Sequence, residues 1–258
     1  MTATEPRPPR DTDSWARPVD RLTTTASGAG MDTVTGRRAV GPIQGFGQMW
    51  QKTFSVRLDG VDMTPEQLVA HWKERFPTFW PKGARFYAPL SGIAPGEVAL
   101  LEVQAVPGAP IRMSTGVLVI YADSESFTFM TPEGHALSAW ITFSAFRDGQ
   151  TTVAQAQALE RTSDPIIELS YIFGGNRMND RFWEQTLDNL ARSVGVAAPD
   201  VVSQKVCVDR RRQWRYVRNV RHSAAVNTAV GMLTAPIRWL RGRGPSTGTG
   251  GSSTGTGA

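Results

Sequence analysis

Five strand-like runs separated by turn residues, followed by one capped amphipathic helix, constrain residues 97–195 more tightly than any other feature of the chain. The runs are 97–106 (EVALLEVQAV), 112–122 (RMSTGVLVIYA), 126–131 (SFTFMT), 137–147 (LSAWITFSAFR) and 151–160 (TTVAQAQALE). Each is rich in β-branched or aromatic residues. Pro107-Gly108, Asp123-Ser124, Pro132-Glu133-Gly134 and Asp148-Gly149 separate them, and such breaks close hairpins. Consecutive strands joined by short turns pair antiparallel, so the runs read as a meander. In the last run Ala154, Ala156 and Ala158 alternate with larger residues and leave one face small and flat. A helix can approach such a face closely, and a helix follows. Asp164 offers an N-cap, Pro165 suits the first turn, and Ile166, Ile167, Leu169, Tyr171, Ile172 and Phe173 are apolar. Beyond Gly174-Gly175, Met178, Phe182, Trp183, Leu187, Leu190 and Val194 line one side, opposite Asp180, Arg181, Glu184, Asp188 and Arg192; Gly195 ends the pattern.

Upstream, residues 47–58 (GQMWQKTFSVRL) alternate as a strand and stop at Asp59-Gly60. Thr64-Pro65-Glu66-Gln67 then opens a helix: the Thr hydroxyl can accept from the N3 amide while Gln67 reaches back. Leu68, Trp72 and Phe76 form its apolar stripe, and Pro77 and Pro81 stop it. Strand, helix, five or six strands and a long helix make an α+β domain. The expected form is a curved antiparallel sheet gripping the C-terminal helix around an apolar cavity.

The closing run 154–195 (AQAQALERTSDPIIELSYIFGGNRMNDRFWEQTLDNLARSVG) resembles the START-like helix-grip fold of the SRPBCC proteins. That superfamily includes polyketide cyclases, lipid-transfer domains and plant pollen allergens. The resemblance spans about 47–196 and implies a pocket for a small apolar, lipid- or polyketide-like ligand under the last helix. It departs from the family in having one convincing helix after the first strand, with 78–82 as a remnant of a second, and in its basic C-terminal extension.

The organisation expected is a disordered tail at 1–40, the START-like domain at 41–196, a basic amphipathic helix at 205–243 and a Gly/Ser/Thr-rich disordered tail at 244–258. Net charge sharpens this division. Ten Lys or Arg against the single Asp209 give 205–243 a charge of +9, leaving −4 on the rest of a chain whose total is +5. Wound as a helix, Trp214, Tyr216, Val217, Val220 and Ala224 share one face, with Arg211, Arg212, Arg215, Arg218 and His222 opposite. Such a helix suits an anionic membrane surface, with Arg211, Arg212, Trp214, Arg215 and Arg218 as its contacts, or packs on its own domain. No nucleic-acid motif or stacking platform accompanies the arginines.

Chemistry is sparse. Gly41, Gly45 and Gly47 (GPIQGFG) lack the lysine and context of a phosphate loop, and no GxSxG elbow exists. His71, His135 and His222 fall in three unrelated elements, so neither a metal nor a cofactor is expected. Cys207 is the only cysteine, which excludes an intramolecular disulfide and suits a reducing, cytoplasmic setting. No signal-peptide run or cleanly apolar span is present, so the expected location is cytoplasmic or peripheral on the inner face of the membrane.

The cavity candidates are Trp80, Glu102, Arg112, Tyr121, Phe129, His135, Trp140, Phe143 and Phe182. Aromatics in this number exceed what a thin one-sheet core needs. Glu102 lies in a strand opposite Leu101 and Val103, facing solvent or anchoring a cavity with Arg112 across the pair. Asp164 serves as the cap, and Glu168 sits on an otherwise apolar turn, exposed or else buried and paired. Ligand binding without catalysis leads. A cyclase or hydratase would need Glu102, Arg112, Tyr121 or His135 inside one pocket, and a scaffold would act through the basic tail alone.

Overall fold

The computed structural model describes residues 32–33, 37–104 and 112–223. Residues 1–31 and 34–36 of the tail expected at 1–40, the tail expected at 244–258, and residues 224–243 of the extension lie outside the described residues.

Ten strands form one antiparallel sheet. In chain order they are β1 (Asp32–Thr33), β2 (Arg37–Val40), β3 (Met49–Arg57), β4 (Arg85–Tyr87), β5 (Val98–Gln104), β6 (Arg112–Ala122), β7 (Ser126–Pro132), β8 (Leu137–Asp148), β9 (Thr151–Thr162) and β10 (Val201–Asp209). The main path runs β10-β3-β9-β8-β7-β6-β5-β4, and β2 joins β7 through Ala39 opposite Pro132 and Val40 opposite Thr131. The five runs of the expected meander are thus neighbours in order, and β3 closes on β9. Helix α1 (Pro65–Arg75) begins at the Thr64 capping box, with Thr64 Oγ1 accepting from Gln67 N at 3.2 Å and Gln67 Oε1 accepting from Thr64 N at 2.9 Å. A 3-10 turn, Phe76–Phe79, stands close to the expected remnant of a second helix. Helices α2 (Pro165–Ser170) and α3 (Asn176–Ser193) are joined by a single π-type turn, Tyr171–Gly175. Gly174 there has φ +119, which a residue with a Cβ rarely adopts.

Three boundaries move. Residues 37–40 are a strand rather than part of a disordered tail, because their backbone completes the end of β7. The sheet does not end with the long helix: Val201–Asp209 pairs along β3, from Val201 opposite Val56 to Asp209 opposite Met49. Residues 205–209 are therefore strand, not the start of a basic helix; Val201, Val202, Val206 and Val208 favour a pleated edge. The basic segment that follows, Trp214–His222, is a 3-10 helix.

The flat alanine face works as its spacing suggests. Ala156 lies between Phe54 of β3 and Phe143 of β8, so small residues on β9 make room for rings on both neighbours. Those rings, with Trp72 of α1, Phe76, Phe127 and Phe129, are all at most 3% exposed. Leu187, Leu190 and Ala191 of α3 close over them. Phe76 touches Phe86, Phe127, Phe129 and Phe143 at centroid distances of 4.9–5.5 Å, largely edge to face. The space between sheet and helix is packed with rings.

Candidate functional site: a polar pole and the cleft beside it

Alternation on β3 puts Trp50, Lys52, Phe54 and Val56 on the concave face, and alternation on β9 does the same for Ala154, Ala156, Ala158 and Glu160. One end of that face is apolar. The other carries a lysine and a glutamate, and both are buried: Lys52 is 1% exposed and Glu160 4%. Lys52 Nζ lies 2.7 Å from Glu160 Oε1 and 2.8 Å from Asp180 Oδ1, and donates to Asn176 Oδ1 at 2.6 Å. Asn179 donates to Glu160, and Lys205 of β10 reaches Asp180 Oδ2 at 2.7 Å. Burial pulls the Lys52 ammonium down, but the two carboxylates outweigh it and hold its pKa above the ordinary value. Asp180 is therefore not on the solvent face of α3, where the helical pattern placed it. It points inward because Lys52 gives it a partner. Met178, expected on the inner face, is exposed instead.

A second network adjoins the first. Arg161, 2% exposed, donates through Nη2 to Asp209 Oδ2 at 2.5 Å and through Nη1 to the carbonyls of Gly47 and of Arg211. Glu168 is buried and paired: Oε2 accepts from the Thr162 hydroxyl at 2.7 Å and Oε1 from Arg212 Nε at 3.0 Å. Hydrogen bonds from Arg161 and the Arg211 amide hold the Asp209 carboxyl below its usual range, despite the opposing pull of burial. The glycines of GPIQGFG serve close approach here. A Cβ on Gly47 would sit 2.0 Å from Thr162 Oγ1, and one on Gly45 2.7 Å from Arg161 Cβ.

Between the two networks opens a cleft of about 130 Å³, lined by Trp50, Leu137, Ile172 and Tyr171 together with Glu160, Arg161, Glu168, Asn176 and Arg212. A neighbouring groove of about 390 Å³ shares Tyr171, Ile172 and Asn176 with it and continues over Phe173, Gly174 and Arg177. Five cations (Lys52, Arg161, Lys205, Arg211, Arg212) pair with four carboxylates (Glu160, Glu168, Asp180, Asp209) around this pole. The Nε–H of Arg161 is buried and has no hydrogen-bond partner among the described residues. Tyr171 titrates well above the ordinary phenol value, first through burial and then through the charges of Glu160 and Asp180. The phenol keeps its proton.

None of the described residues expected to line a cavity borders either opening. Phe129 and Phe143 are buried in the ring cluster, and Trp80 and Phe182 pack against each other at 5.0 Å beside it. Trp140 is on the opposite face of β8 from Phe143, under Gly41. Glu102 faces outward, 3.8 Å from Arg85 and bonded by the Tyr87 hydroxyl. Tyr121 is half exposed and bonds Asp123. His135 sits in the β7–β8 turn, its Nδ1 accepting from Leu137 N at 3.0 Å, and burial lowers its pKa to about 4. The side chain of Arg112 lies outside the described residues. Glu102, Tyr121 and His135 thus stay apart, and the constellation a cyclase or hydratase would need is not assembled from them.

An antiparallel sheet closed over a long C-terminal helix, with a helix inserted after the first long strand, is a helix-grip α+β architecture. No protein-family model matches the chain, and no curated protein matches it. Among solved structures, the KanY protein (ms6282) is 13% identical with a TM-score of 0.45, over 58% of this chain and 99% of that one. Protein Ms6760 from Mycobacterium smegmatis is 9% identical at 0.39, over 55% and 89% of the two chains. The ginseng major latex-like protein 151 from Panax ginseng is 12% identical at 0.37, over 58% and 100%. No ligand or activity is carried across from likeness at that level. Among the described residues no helix is long and apolar enough to cross a membrane.

Proposed function

We propose that the protein is a non-catalytic binding module for a small uncharged amphipathic molecule, an apolar ring or chain bearing one hydrogen-bond acceptor such as a hydroxyl or carbonyl. The observation that carries this reading is the cleft's mixed wall, which sets Trp50, Leu137 and Ile172 beside Arg161, Thr162, Asn176 and Arg212. A wall of that kind takes an apolar body and orients it through a few polar groups. Arg161, the buried cation of the wall, is already paired with Asp209, so an entering carboxylate would bring a charge without a buried partner of its own. A neutral acceptor is favoured.

Size sets a second limit. A dry cavity of about 150 Å³ takes benzene, so the inner cleft of about 130 Å³ suits one ring or the end of a chain. The remainder of a longer, lipid- or polyketide-like molecule would lie in the outer groove along Ile172 and Phe173. The binding position is thus the break between α2 and α3, not the ring-filled interior beneath α3.

Isothermal titration with cyclohexanol, cyclohexane and cyclohexanecarboxylate tests the reading. Cyclohexanol should bind more tightly than either of the others, and Leu137→Trp, which fills the cleft, should remove the heat. Equal binding of cyclohexane, or binding indifferent to Leu137→Trp, would overturn it.

A further inference from the structure

The face around α2 inverts the usual rule for a surface helix. Ile167 and Glu168 point inward, while Ile166, Leu169 and Phe173, spaced i, i+3 and i+7, point out with Ile172 beside them. Phe173 is 81% exposed and Ile172 62%. The π-type turn lifts both away from the body of the protein. α2 packs on the 3-10 segment Trp214–His222, and the Arg212–Glu168 pair ties the two together.

That segment has a period of three, and so does a 3-10 helix, which stacks residues i and i+3 directly above one another. The sequence WRYVRNVRH therefore resolves into three rows. Tyr216, Asn219 and His222 form one, with Asn219 anchored to the carbonyls of Gln44 and Ser163. Trp214, Val217 and Val220 form an apolar row, in which Trp214 is 70% exposed. Arg215, Arg218 and Arg221 form an exposed row of cations. The expected long amphipathic α-helix is absent from the described part of this segment, but its division into an apolar and a basic row survives in tighter form.

We propose that the apolar ridge of α2 and the π-turn, together with this arginine row, is one docking face for an anionic lipid bilayer. Exposed aliphatic and aromatic side chains beside a row of arginines match the headgroup–acyl boundary of such a membrane: apolar tips enter, guanidinium groups meet lipid phosphates, and Trp214 lies at the interface between them. A partner of any other kind would have to offer the same order of acid beside oil. The proposal does not depend on the cleft holding a ligand.

The test is sedimentation of the full chain with vesicles of phosphatidylglycerol and phosphatidylcholine in equal parts, and with phosphatidylcholine alone, at low and high salt. Binding should require phosphatidylglycerol and weaken with salt. Replacing Arg215, Arg218 and Arg221 by Gln should weaken it by roughly a hundredfold, since each arginine near an anionic surface contributes about a factor of five. Phe173→Asp should weaken it by about tenfold at both salt levels through lost apolar insertion. All four positions are exposed, and circular dichroism checks the fold. Leu169→Asp, on the same ridge but outside both openings, should also weaken sedimentation and leave the cyclohexanol heat unchanged, which separates this proposal from the cleft. Failure of the full chain to sediment, equal binding to phosphatidylcholine alone, or binding that ignores Phe173→Asp and is lost when residues 224–258 are deleted would each overturn the proposal. So would a dimer that dissolves with Phe173→Asp.

Discussion

Removing Lys52 should be among the most damaging single changes the domain can suffer. Its ammonium is 1% exposed and touches three oxygen acceptors at 2.6–2.8 Å: Asn176 Oδ1, Glu160 Oε1 and Asp180 Oδ1. A buried ion pair contributes little beyond what a well-packed apolar residue would, because desolvation offsets attraction. Deleting one partner is different, since it strands the remaining charge. Lys52→Met fills much of the volume but leaves Glu160 with only Asn179 and leaves Asp180 with Lys205 alone. Breaking such a pair costs about 3–5 kcal/mol, and the surviving Lys205 contact argues for the lower half of that range. The triple variant Lys52→Met, Glu160→Gln, Asp180→Asn removes charge from both sides and should regain most of the loss. Urea unfolding followed by circular dichroism measures both, with a constant m-value certifying that midpoints report stability. A loss below about 1 kcal/mol for Lys52→Met, or a triple variant no more stable than the single one, would refute the reasoning. The linkage has a definite sign. The folded-state pKa of Lys52 is raised, so its contribution is complete below the unfolded value near 10.4 and disappears as pH rises through the folded one.

Two further outcomes follow from single contacts. Gly47→Ala should lower stability by about 1–3 kcal/mol, because its Cβ would fall 2.0 Å from Thr162 Oγ1 and 2.2 Å from Glu168 Oε2; a melting temperature equal to that of the native chain would count against it. His135 binds its proton less readily folded than unfolded, with its pKa lowered from 6.5 to about 4, so stability should fall as pH drops between those values, by about 3 kcal/mol in all. His135→Asn should flatten that slope, and an unchanged acid profile would show that the turn does not shield the ring.

Much of the architecture was written in local chemistry. The Thr64 capping box, the Asp164 cap and the hairpin breaks appear where turn and cap residues demand them, because each depends on neighbours three or four residues away. What escaped depends on partners distant in sequence. β10 was hidden by its lysine and the arginines after it, although its four valines carried the strand signal. Asp180 looked like part of a solvated stripe because nothing within α3 reveals Lys52, more than a hundred residues earlier. Yet that pair was open to a stricter reading: Lys52 alternates with Phe54 and Val56, and Glu160 with Ala154, Ala156 and Ala158. A cation and a carboxylate on two apolar faces that pair with each other are already a buried ion pair. The abundance of rings misled in the other direction. Ala156 between Phe54 and Phe143 shows the physical reason: small residues on one strand require large ones on its neighbours to reach close packing, so the aromatics fill volume rather than enclose it.

The break in the terminal helix gains its meaning from what holds its two sides. α2 is fixed to the sheet end by Asp164, whose carboxylate caps Ile166 and Ile167, and by Glu168 on Thr162 and Arg212. α3 is fixed by Asn176 and Asp180 on Lys52. A continuous helix could not meet both sets of anchors, since one lies at the end of β9 and the other further down the concave face. Gly174, in the left-handed region, takes up the mismatch. Tyr171–Gly175 is what remains between the anchors, and its Ile172 and Phe173 are left without a core to enter. The same mismatch therefore opens the cleft on its inner side and raises the apolar ridge on its outer side. Cleft and ridge are two faces of one junction, held by charges buried on either side of it.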